Sequence, residues 1–171
     1  AGIVVLESLE HAQQRGATIL AELVGYGASS DGVGMVQPSG EGAVRCMQMA
    51  AQNNQVDYVN AHGTSTPAGD MVELQAIHDA FAGQNTNHTP AISSTKSITG
   101  HGLGAAGAQE AIYSLLMLRH GFIAGSQNIT SMEASALTES VCRESKQADL
   151  QCVMSNSFGF GGTNACLVFK K

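Results

Sequence analysis

Two histidines in this chain are each followed at once by glycine: His62 in Asn60-Ala61-His62-Gly63-Thr64-Ser65-Thr66 and His101 in Lys96-Ser97-Ile98-Thr99-Gly100-His101-Gly102. Both are expected at the end of an extended, β-branched segment. A neutral imidazole on a tight glycine-flanked loop can hold its N–H at one fixed spot, and two aimed together would stabilise an oxyanion or enolate as it forms. No nucleophile stands in a comparable setting. Cys46 lies in a helical stretch beside Met47 and Met49, Cys152 and Cys166 lie in strand-like runs, and Cys142 follows a polar stretch. These thiols read as reduced and buried or incidental. Half of an active site is what the residues describe.

Two charged residues belong to the same neighbourhood. Glu110 interrupts an otherwise apolar helical run and must find a cation or a cluster of donors, and Lys96 is the cation nearest the same loop. Gly102-Leu103-Gly104-Ala105-Ala106-Gly107 matches G-x-G-x-x-G. The dinucleotide fingerprint, however, needs its first glycine directly after a strand and an acid about 20 residues on. Neither condition is met, so the glycines read as packing and loop residues. No Cys-x-x-Cys or His-x-x-x-His spacing is present, and no metal or cofactor is expected. His11, His78, His88 and His120 read as ordinary core or surface residues.

The elements that position these groups follow from periodicity. Gly2 to Glu7 and Thr18 to Tyr26 read as strands around a short helix, Ser8 to Gly16. Gly25 to Gly42 holds six glycines and Pro38, which predicts a loop and a domain boundary. Beyond it the order is helix (42–52), strand (56–60), helix (67–81), strand (91–94), helix (105–120) and two closing strands (152–155 and 165–169). This alternation implies an α/β architecture with a mixed sheet. Thr66 and Pro67 read as N-cap and first turn of an ordinary surface-packed helix striped by Met71, Leu74, Ile77 and Phe81. The 105–120 helix is apolar around nearly its whole circumference, which predicts burial on most sides until Gly121 ends it.

Composition narrows the partners. The chain has 171 residues with a formal charge of −6, and only 13% are charged against a typical value of about 25%. So sparse a charge coat predicts that part of the exterior is covered, by a second copy, a further domain or both. Nucleic-acid binding is excluded by the lack of basic runs, and a membrane span by the lack of a long apolar segment. The cytoplasm is the expected compartment.

Three segments, Asn60 to Asp70, Ser94 to Gly107 and Asn156-Ser157-Phe158-Gly159-Phe160-Gly161-Gly162-Thr163-Asn164-Ala165, resemble the C-terminal part of the β-ketoacyl-[acyl carrier protein] synthases of the elongating, two-histidine type. The stretch Glu110 to Ile123 looks closest to the bacterial type I enzymes. The resemblance implies a thiolase-like fold, in which two similar α/β halves pack around shared buried helices, and a homodimer. It also implies decarboxylative Claisen condensation with malonyl- and acyl-carrier protein, without a cofactor. His62 and His101 match the oxyanion donors, Lys96 a charged organiser, and Glu110 its partner. Thr64 and Thr66 match contacts to the phosphopantetheine arm, and Phe160 matches an aromatic gate over the acyl pocket. The acylated cysteine of the family has no counterpart here. Residues 1–36 thus read as closing strands of a preceding half and residues 37–171 as the C-terminal domain. A thiolase-type acyltransferase, or a silent fragment that only dimerises or binds carrier protein, are the competing readings.

Overall fold

A computed structural model describes residues 1–35, 38–82, 89–132 and 134–171. Five strands form one mixed sheet. They are β1 (Glu22–Ser30), β2 (Tyr58–Asn60), β3 (Ala91–Ser93), β6 (Cys152–Phe158) and β7 (Thr163–Lys170), in the order β1-β7-β6-β2-β3. Strands β1, β7 and β6 are antiparallel neighbours, whereas β6, β2 and β3 run parallel. A small ribbon joins β4 (Phe122–Ile123) to β5 (Lys146–Gln147).

Alternation along the strands builds two cores. Cys152 and Met154 of β6 and Cys166 and Val168 of β7 point to one face, under α2 (Glu41–Ala51) and α3 (Gly69–Phe81). Val153 and Phe169 point to the other, under α5 (Ala106–His120), where Ala111, Met117 and Leu118 meet them. The result is a helix–sheet–helix sandwich. The described residues also hold two short α-helices, α1 (Leu9–Gln14), capped by the Ser8 side chain, and α4 (Lys96–Thr99).

Several expectations change. Gly2 to Glu7 forms no strand and leaves Ile3, Val4, Val5 and Leu6 exposed, because no neighbouring strand pairs with it among the described residues. The glycine-rich stretch is not a loop from its start. Residues 25–30 belong to β1, and a Cβ at Gly25 or Gly27 would lie 1.9 or 2.0 Å from the carbonyl oxygens of Ala50 and Cys46. Those glycines let α2 lie directly on the sheet. The sheet draws on both sides of the division expected after residue 36, and residues 36–37, like His88, lie outside the described residues. Residues 96–99 are helical rather than extended. Helix α3 begins at Gly69, since the Asp70 carboxylate accepts the N–H groups of Ser65 and Thr66 and holds that segment as a turn. Helix α5 is buried along one face, at Ala106, Glu110, Ala111, Ser114, Met117 and Leu118, while Leu116 is exposed.

Candidate active site

Parallel strands β2 and β3 end side by side, and the two histidines leave from those ends. Asn60, fully buried, closes β2: its Oδ1 accepts the Thr95 N–H at 3.3 Å, so the loops after β2 and β3 are tied at their roots. His62 follows two residues after Asn60. The Glu73 carboxylate of α3 accepts the His62 N–H at 2.8 Å and the Gly63 N–H at 2.7 Å. Gly63, at φ +20°, sits so close to Ser94 that a Cβ would approach the Ser94 Cβ to 2.9 Å. The Ser94 hydroxyl donates to the Gly63 carbonyl at 2.7 Å.

His101 arrives by a different route. Helix α4 turns the chain at Gly100, and the Leu103 N–H donates to His101 Nδ1 at 3.1 Å. A nitrogen that accepts carries no proton in neutral imidazole, so the proton resides on Nε2, which is left to donate. The imidazoles of His62 and His101 meet edge to face with centroids 5.3 Å apart. Phe158 lies against His62 at 6.1 Å. The Nδ1 of His62 is buried without a hydrogen-bond partner among the described residues. Only Nε2 of His62 remains for a ligand outside the protein.

The electrostatics keep both rings neutral near pH 7. Burial, then the Lys96 ammonium, then His101 depress the His62 pKa to about 4, and burial followed by Lys96 lowers that of His101. Lys96 is itself buried and bonded to the Glu110 carboxylate from α5. Burial raises the Glu110 pKa, opposed by Lys96. Thus the carboxylate on the apolar helix meets the lysine of the neighbouring loop, and the ammonium acts on both imidazoles as a nearby positive charge.

The remaining expected residues are more dispersed. Thr64 is half-buried and Thr66 exposed, with hydroxyls 3.4 Å apart, and Thr66 Oγ1 accepts the Gly69 N–H at 3.2 Å at the entry to α3. Phe160 stands 81% exposed in the turn between β6 and β7, and the aromatic ring at the histidines is Phe158. Sequence reasoning missed Glu73, which from sequence alone is only an acid favouring the positive end of the 67–81 helix dipole. It is buried, and Asn156 Nδ2 also donates to it at 3.3 Å. The signal was its spacing, since Glu73 shares the helix face of Ala76, Ile77 and Ala80.

Residues 20–130 match the family described as β-ketoacyl synthase, C-terminal domain. This chain belongs to the β-ketoacyl synthase family. It is 60% identical over 172 residues to 3-oxoacyl-[acyl-carrier-protein] synthase 1 of Escherichia coli K12, covering 99% of this chain and 41% of that protein. The chain therefore spans about two fifths of the length of such relatives. A β-ketoacyl synthase from Burkholderia phymatum STM815 superposes with a TM-score of 0.83 at 39% identity, over 96% of this chain and 41% of that one. The ketosynthase of the AntDE:AntF complex, a type II acyl-carrier protein with its ketosynthase bound to the hexaketide, gives 0.84 at 29% identity over 96% and 41%. The fold is the C-terminal part of the thiolase-like fold of these ketosynthases, with its mixed sheet and flanking helices.

Proposed function

We propose that this chain supplies the decarboxylation half-site of a β-ketoacyl-[acyl carrier protein] synthase active in fatty acid elongation. The observation that carries the reading is the convergence of two neutral imidazoles, 5.3 Å apart, beside a buried Lys96–Glu110 pair. In the reaction, the malonyl thioester loses carbon dioxide as its C–C bond breaks, and the electron pair delocalises onto the thioester oxygen. His62 and His101 donate N–H bonds to that oxygen as negative charge develops. The enolate carbon then attacks the carbonyl of an acyl group held as a thioester, a new C–C bond forms as the acyl C–S bond breaks, and the thiolate that held the acyl group leaves. That thiolate comes from a cysteine outside this chain, because Cys46, Cys142, Cys152 and Cys166 are all buried within the fold.

Lys96 acts as a charged organiser that disfavours imidazolium, and Glu110 compensates its charge. Thr64 and Thr66 border the same loop as His62 and offer hydroxyls to a phosphopantetheine arm, which suits acyl carrier protein as the partner. Phe160, exposed on a glycine turn, is suited to swing over an acyl pocket. The exposed Ile3, Val5, Leu6 and Leu103 form apolar surface that suits cover by the other half of the enzyme and by a second copy in a homodimer. Within the described residues no helix is long and apolar enough to cross a membrane, in keeping with a cytoplasmic enzyme. The deciding experiment measures malonyl-thioester decarboxylation by His62→Ala and His101→Ala in the full-length protein that carries this chain. Each loss is expected at roughly 10²–10³-fold, the usual effect of one oxyanion donor. Wild-type rates in either variant remove that histidine from the site.

A further inference from the structure

Lys96 occupies the first position of a four-residue helical turn, too short to hold a buried ammonium in place by its own backbone bonds. A strap from elsewhere in the chain crosses that turn. The Ser126 hydroxyl, on a buried residue, accepts the Ser94 N–H at 2.9 Å. Two residues later, the Asn128 amide donates to the Ser97 carbonyl at 2.8 Å. Asn128 holds φ +61°, a left-handed conformation that asparagine tolerates better than most side chains. The strap is anchored in turn, because the Ser126 N–H donates to the Cys142 carbonyl and the Cys142 N–H donates to the Ile92 carbonyl of β3. Ser94 carries the support onward, since its hydroxyl donates to the Gly63 carbonyl beside His62.

From this geometry we infer that Ser126 and Asn128 are positioning residues, the side-chain points of a brace that also includes the Gln127 N–H donated to the Ser97 hydroxyl at 2.9 Å, and that this brace fixes Lys96 relative to His62 and His101. The brace grips the chain on both sides of Lys96 through residues 94 and 97, so it acts on the lysine without touching a ligand. The inference rests on the reading that His62, His101 and Lys96 form one decarboxylation site. A misplacement of about 1 Å costs on the order of 10²-fold in rate, so partial release of the turn is expected to cost about tenfold.

The test uses Ser126→Ala, Ser126→Thr and Asn128→Asp in the full-length protein, with Lys96→Met alongside. For Ser126→Ala and Asn128→Asp, kcat for malonyl-thioester decarboxylation falls about tenfold while KM stays within about twofold, and Ser126→Thr, which keeps the hydroxyl, recovers the rate. A merely structural role would not move the ring titration of His62, which faces Lys96, His101 and Phe158 and whose backbone is held by Glu73. Its NMR midpoint rises in the two impaired variants as the ammonium shifts away. Unchanged kcat in both, with Lys96→Met impaired, overturns the brace alone. So does a fall in kcat with an unmoved His62 midpoint. Normal decarboxylation by Lys96→Met overturns the functional reading itself, and the brace with it. If Ser126→Ala does not fold, Asn128→Asp, at an exposed residue, decides by the same two readouts.

Discussion

His62 and His101 stand in similar Gly-flanked sequences, yet the fold holds them by opposite means. His62 is fixed through its backbone: a buried carboxylate from α3 grips two successive N–H groups, and among the described residues the ring has no polar partner at Nδ1. His101 is fixed through its ring, which accepts a backbone N–H from two residues on while remaining exposed. The first arrangement fixes position and leaves the tautomer to the ligand, whereas the second fixes the tautomer and leaves the loop near solvent. A pair of equivalent donors can thus arise from one buried clamp and one local turn, joined by the single ammonium of Lys96.

The largest effect is expected at the group both loops share. Lys96→Met leaves the Glu110 carboxylate buried without its cation, which should cost about 3–5 kcal/mol in unfolding free energy. Urea unfolding of the full-length protein measures it, and a loss under about 1 kcal/mol would show that water already reaches Glu110.

Next in size is the clamp peculiar to His62. Glu73→Ala strands the N–H groups of His62 and Gly63, each worth about 1–3 kcal/mol when left unmade in a buried site. Because His62 and Gly63 are only part-buried, the lower part of that range applies and a total of about 2–4 kcal/mol is expected, with Glu73→Gln intermediate. Equal stability of Glu73→Ala and the parent would mean the His62 loop is self-supporting, as that of His101 is.

Titration sharpens the contrast further. By NMR, the His62 ring is expected to change charge at about pH 4 and that of His101 below the ordinary histidine value of about 6.5. Since an unfolded histidine binds its proton at about pH 6.5 and folded His62 only near 4, acidification through that window favours the unfolded chain. Stability contributed by neutral His62 is complete above about pH 6.5 and is lost as pH falls toward 4. Lys96→Met should raise the His62 midpoint, because a neighbouring positive charge no longer opposes the imidazolium. A midpoint at 6.5 in the parent protein would contradict the burial of this ring.

The smallest effect concerns the local turn at His101. Leu103 holds φ +51°, so Leu103→Gly relieves backbone strain while retaining the N–H that bonds His101. The entropy of an added glycine offsets much of that relief, and the net change in thermal stability should lie within about 1 kcal/mol. A large loss would reveal that the exposed Leu103 side chain packs against something in the intact enzyme.

Particular residues show how far the sequence could be read. The 3.6-residue pattern placed α2, α3 and α5 to within a few residues, and two-residue alternation marked β6 and β7. Lys96 and Glu110 could be paired on chemistry alone, because an acid on an apolar helix has to meet a cation. Glu73 escaped notice because an acid in the N-terminal half of a helix has a sufficient local explanation in the helix dipole. The glycines of β1 were taken for a loop since sequence does not reveal a helix lying 2 Å from where their Cβ atoms would be. Gly2 to Glu7 carries strand-forming residues, but a strand exists only where a neighbour offers its backbone.

By itself the sequence determined the order of the longer helices and of the sheet strands from β1 onward, the two His-Gly loops and the motifs that place the chain in its family, since these rest on periodicity and on residue chemistry local to each segment. The tertiary structure alone decided that β2 and β3 end together so that the rings meet, that Glu73 clamps one loop, that Leu103 sets the tautomer of the other ring, and that Ser126 and Asn128 cross the Lys96 turn. Each of these joins groups far apart in the chain or depends on a specific backbone angle. Such relations are set by packing the whole sheet and its helices at once, and no local pattern of side chains encodes them.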